Sequence, residues 1–230
     1  MSKTITKTLY TFEELLALNK AGEVKSSVVE KVRMALILSV GESEWYDSDY
    51  EDWMTALAEI GFTDAKILHS GFSVQGDGAS FESTVDLKVL LKFLSCRVAP
   101  SEQILDGEEN GWVGYVVHKL GAHYSPDERF AKLIDVVDTG DFRATVERDS
   151  TCRYLHESSC DFLVDYNGPE EFDDLLNEFE TVAEELREAL CRIIYRVLEA
   201  QWDAITTNEE LIEEDKRLDN HWDITGHLEK

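Results

Sequence analysis

FDDLLNEFETVAEELREALCRIIYRVLEAQWDAI, residues 172–205, carries the strongest periodicity in the chain. Phe172, Leu175, Leu176, Phe179, Val182, Ala183, Leu186, Leu190, Ile193, Ile194, Val197 and Leu198 recur at steps of three and four, the spacing of one helix face. Neither Gly nor Pro interrupts the chain from Glu170 to Glu214. The pattern predicts a helix from Pro169 to Ala204, roughly 54 Å long at a rise of about 1.5 Å per residue. Its first half is strongly acidic: Glu170, Glu171, Asp173, Asp174, Glu178, Glu180, Glu184, Glu185 and Glu188 stand against Arg187 alone. Acids at a helix start complement its dipole, which accounts for part of this bias.

Upstream, the period changes to that of strands. Ala65–Val74 and Ala79–Val85 flank Gly76-Asp77-Gly78, a turn in which Gly accepts positive φ and Asp bonds locally. Phe142–Arg148 and Arg153–Tyr166 read as a second hairpin, and Asn167-Gly168-Pro169 breaks the sheet before the long helix. Thr11, Ser26 or Ser27, and Ser48 are N-caps for helices in the first 60 residues, and Asp86 caps another through Leu94. Residues 96–110 read as a polar loop, Trp112–Leu120 as strand or helix, and Pro126–Val137 as a helix. The predicted class is α+β: an antiparallel sheet of at least four strands, helices mainly on one face, and a long C-terminal amphipathic helix. With 3 Pro and no Gly/Ser-rich linker, the chain reads as one domain over 1–230. In it, helices at 12–60 precede a sheet with inserted helices at 65–166 and the helix at 169–204. The tail after Asp219 is expected to fray.

Composition narrows the function. There are 22 Lys+Arg and 48 Asp+Glu in 230 residues, a formal net charge of −26, with 43% hydrophobic residues. The apolar content excludes a wholly disordered acidic chain. The charge disfavours direct binding to nucleic acid or to anionic membranes, both of which need a basic face. It favours a basic partner. The acids concentrate in two stretches. One is the run without Lys or Arg from Met34 to Ala65, with Glu42, Glu44, Asp47, Asp49, Glu51 and Asp52. The other is the first half of the long helix. Cys96, Cys152, Cys160 and Cys191 form no C-x-x-C pair and read as reduced thiols, and no leader-type apolar run opens the chain, so the expected compartment is cytoplasm. No G-x-S-x-G, P-loop or H-E-x-x-H motif is present, and neither a metal nor a cofactor is expected. Gln75, Asp77 and His156 are the polar residues that an enzymatic reading would use, with an Asp–His pair orienting water.

Gly71-Phe72-Ser73-Val74-Gln75-Gly76-Asp77-Gly78-Ala79-Ser80-Phe81 resembles the SGF-x-x-QGDGA-x-F hairpin of a family of small bacteriophage and prophage proteins often labelled antitoxin-like. Tyr10-Thr11-Phe12-Glu13-Glu14-Leu15, Tyr50-Glu51-Asp52-Trp53, Tyr154-Leu155-His156 and Asn220-His221-Trp222-Asp223-Ile224-Thr225 are similar to further family stretches in the same order. Before Tyr154 the chain reads Glu147-Arg148-Asp149-Ser150 where the family has a basic-Gly-His run. The resemblance implies a phage or prophage product acting in a bacterial host cell. Its motif positions are Gly71, Phe72, Gln75, Gly76, Asp77, Gly78, Phe81 and His156.

Together these readings give an expectation. The chain is a non-enzymatic, phage-encoded acidic inhibitor with an anti-defence role. It imitates DNA and occupies the basic nucleic-acid-binding groove of a host defence protein. The expected contacts are Glu42, Glu44, Asp47, Asp49, Glu51, Asp52, Glu170, Glu171, Asp173, Asp174, Glu178, Glu180, Glu184 and Glu185. Two alternatives stand beside it: an antitoxin-like neutraliser of a single toxin, and a hydrolase using Gln75, Asp77 and His156. Self-association into a homodimer is left open.

Overall fold

The computed structural model describes residues 8–41, 45–72, 76–95, 127–138 and 142–229. The expected loop 96–110 and the segment 112–120 lie outside them. Among the described residues the helices are α1 (Phe12–Lys20), α2 (Ser26–Gly41), α3 (Asp47–Glu59), α4 (Leu87–Ser95), α5 (Leu133–Val137), α6 (Asp173–Ile205) and α7 (Asn208–Arg217). The strands are β1 (Phe62–His69), β2 (Ala79–Val85), β3 (Phe142–Arg148), β4 (Cys160–Tyr166), β5 (His221–Trp222) and β6 (Leu228–Glu229). The chain is α+β, as the alternation of periods predicts. The continuous domain expected over 1–230 divides into two compact units, Asp47–Glu199 and Met1–Tyr46 with Ala200–Lys230.

In the unit Asp47–Glu199 the sheet runs β1-β2-β3-β4 with every neighbour antiparallel. β1 begins at Phe62 because Gly61, at φ +107°, turns the chain out of α3, and Leu90 packs where a Gly61 side chain would lie. Asp64, at φ +51°, sits at a register shift between Thr63 and Lys66. The sheet buries Phe62, Phe81, Phe142 and Phe162. Phe179 of α6 meets Phe130, Phe142 and Phe162 edge-on, each at a centroid distance of 5.8 Å. Lys66 and Glu82 pair across strands at 3.5 Å, and Leu163 stays 44% exposed. The expected helix over Pro126–Val137 is a 3-10 turn, Glu128–Lys132, followed by α5.

The expected strand Arg153–Tyr166 is shorter, because its first half spends its hydrogen bonds on turns. Asp149 accepts from Thr151 N and Oγ1, and His156 Nδ1 accepts from Ser158 N. Only from Cys160 does the chain pair with β3. His156 therefore lies in a turn, not on a strand.

The other unit packs Phe12, Leu15, Val32, Leu36, Leu211 and Trp222 into its own core. Thr11 and Glu14 close a capping box at the start of α1. Buried Asp215 accepts from Phe12 N and Trp222 Nε1, both at 2.7 Å. The tail expected to fray is instead held: β5 pairs with β6, Tyr10 bridges Trp222, and Trp222 is 3% exposed.

Candidate functional site

The acidic surface is built on the start of α6. Tyr166 donates its hydroxyl to Pro169 O at 3.0 Å, over Gly168, where a Cβ would come within 2.4 Å of the Tyr166 oxygen. This tight corner sends Glu170–Phe172 into a 3-10 turn that continues as α6. The apolar stripe of the helix faces the sheet, so Glu170, Glu171, Asp173, Asp174, Glu178 and Glu185 are exposed and Glu180 is half-exposed. Glu178 reaches Arg129 at 2.5 Å, and Arg129 also holds Asp127 at 2.6 Å. The hydrogen bonds from Arg129 keep the Asp127 carboxyl below its usual range. Glu188 pairs with Arg192 at 3.3 Å. Glu170, Glu171, Asp173, Asp174, Glu180 and Glu185 form no ion pair among the described residues.

Glu184 departs from the expectation. Arg187 is fully buried and clasps it through Nε at 2.8 Å and Nη2 at 2.5 Å. Glu184 Oε2 also accepts from Phe162 N on β4, at 2.9 Å. Arg187 Nη1 donates to Glu157 O at 2.7 Å and faces the Cys191 thiol at 3.7 Å. Burial pushes Cys191 up to about 12 and raises Cys160, whose sulfur accepts from Ser80 Oγ at 2.8 Å. Glu184 is thus a fastener between α6 and the sheet edge rather than a free contact. Sequence held the signal. Arg187 is four residues from both Ala183 and Cys191, inside the apolar stripe, where a cation needs an internal partner.

The second acidic stretch is divided. Asp47, Glu51 and Asp52 of α3 are exposed, but Asp49 is 6% exposed and faces inward. Glu42 and Glu44 lie outside the described residues.

The hairpin motif has a packing explanation. Gly76 takes φ +98° against the Tyr154 ring, 3.3 Å from where its Cβ would be. A Cβ on Gly78 would meet His156 Cβ at 2.6 Å. Ser70 Oγ accepts from Gly78 N and donates to Leu155 O, tying the hairpin to the Tyr154–His156 turn. Asp77 lies beside Gly71, Phe81 is in the core, and Gln75 is outside the described residues. The Nδ1 of His156 is occupied by a backbone amide, which suits a capping residue. Next to the hairpin, His69 Nδ1 meets the Tyr50 hydroxyl at 2.5 Å, and Phe72 stacks between His69 and Tyr195, 5.6 Å from each. This cluster was not read from sequence, because its members come from α3, β1, the turn and α6. No three His, Cys, Asp or Glu among the described residues converge as a metal would require, and no helix among them is long and apolar enough to cross a membrane.

Fold and surface together define an α+β protein whose long helix presents exposed carboxylates at its start. A family model described as a domain of unknown function, DUF8835, matches residues 45–208, and the chain belongs to that family. The match spans the whole of the Asp47–Glu199 unit. No curated protein and no solved structure matches the chain.

Proposed function

We propose that this protein is a non-enzymatic acidic inhibitor, phage-encoded and acting in the bacterial cytoplasm, that fills a basic nucleic-acid-binding groove on a host defence protein. The observation that carries the reading is the set of carboxylates at Glu170, Glu171, Asp173, Asp174, Glu180 and Glu185, none of which forms an ion pair among the described residues. Positions 170–185 cover roughly 20 Å of helix axis, comparable to several phosphate steps of about 3.4 Å along one DNA strand. A net charge of −26 also favours fast encounter with a basic surface. The packing of Gly78 on His156, and the backbone amide on its Nδ1, favour a structural role for the motif over hydrolysis.

The test is capture of partners from bacterial lysate on immobilised protein, followed by displacement with duplex DNA and with salt. A nucleic-acid-binding protein released by both is the expected result. A partner indifferent to both overturns the reading.

A further inference from the structure

The unit containing both termini carries an open groove of about 410 Å³ floored by Val40, Trp45 and Ile205. Trp45 is held there by Trp202, at 5.6 Å between ring centroids. The rim comes from one side of α7: Glu210, Glu213, Glu214 and Arg217. Arg217 is spent on Glu214, through two contacts of 2.6 Å. Lys216 is shared between Glu213 at 3.0 Å and Glu13 at 3.3 Å. Glu210 makes no ion pair among the described residues. The groove thus combines an excess of negative charge with an indole and two aliphatic side chains.

That combination matches one ligand chemistry. An aliphatic ligand alone would leave the carboxylates uncompensated, and a small inorganic cation would not use the apolar floor. An arginine side chain uses both: its methylene stem lies on Val40 and Ile205, its planar cation stacks on Trp45, and its N–H groups reach Glu210 and Glu213. We propose that this groove binds an arginine-bearing basic segment of a partner protein. The site shares no residue with the acidic start of α6: its lining belongs to the other unit, and all but Trp45 and Ile205 lie outside the family match.

The test titrates the full-length protein at low salt with a short capped peptide carrying two arginines separated by a leucine, read by calorimetry. The same peptide with citrulline in place of arginine is the neutral control. The arginine peptide is expected to saturate at one site, and the citrulline peptide to bind at least about tenfold more weakly. Glu210→Gln with Glu213→Gln should lower affinity about tenfold, and Trp45→Phe about threefold. Asp173→Asn with Asp174→Asn should stay within about twofold. The glutamate pair is exposed, so its loss does not threaten folding. Equal binding of both peptides, no saturable binding, or unchanged affinity in the groove variants overturns the site. Loss confined to the α6 variants also overturns the groove, while leaving the proposed function standing.

Discussion

Arg187 shows how much depends on one side chain. It is buried, yet all three of its nitrogens have acceptors, on Glu184, Glu157 O and Cys191. Removing one partner of such a pair strands the other. Arg187→Met should cost about 2–4 kcal/mol in urea denaturation, with the double variant Arg187→Met, Glu184→Met recovering part of it. At the hairpin, Gly78→Ala drives a methyl into His156 and should cost about 1–3 kcal/mol, whereas Gly71→Ala, with 3.4 Å to Asp77, should change stability by less than about 0.5 kcal/mol. His69 makes a third prediction. Burial holds its imidazole below the ordinary 6.5, so the folded state gives up the proton more readily than the unfolded chain. Its contribution is complete above pH 6.5 and is lost as pH falls from there through its lower folded value, where the unfolded state binds more protons. Denaturation midpoints at pH 7.5 and about pH 5.5 should differ less in His69→Phe than in the parent protein.

At the scale of elements, what sequence made legible follows its periodicities. The long helix is readable because its apolar steps run unbroken from Phe172 to Leu198, about seven turns. Its first turn is a 3-10 segment, a detail set by the Tyr166–Pro169 corner and not by the stripe. The strand predicted from Arg153 failed at its start, because Asp149, His156 and Ser159 bond to nearby backbone and compete with the ladder. The exposed acids Glu170 to Asp174 were legible from their place off the apolar stripe. For Glu184 only the signal from Arg187 inside the apolar stripe was legible; its bond to Phe162 N, on another element, was not. Asp49 was misplaced because three of its neighbours in sequence are exposed acids, and acidity alone does not fix which side of α3 faces inward. Asp215 joins α7, α1 and β5 in the same way, and Asp215→Ala leaves two buried N–H donors unpaired. That change should cost about 2–4 kcal/mol and alter Trp222 emission.

For the whole molecule, two compact units each carry surplus negative charge on a surface of different character. The α6 start presents exposed carboxylates, which the proposed function assigns to an extended basic surface. The α7 groove is lined by carboxylates and an indole, which the further proposal assigns to an arginine side chain. Under the proposed function, the net charge of −26 serves recognition of basic partners as well as solubility. The most direct measurement is side-by-side capture from bacterial lysate by the parent protein and by a variant with Glu170, Glu171, Asp173 and Asp174 all changed to Lys. The account predicts that a nucleic-acid-binding protein, eluted from the parent by duplex DNA, is absent from the variant while the variant remains folded by circular dichroism. Equal capture of that protein by a folded variant would contradict it.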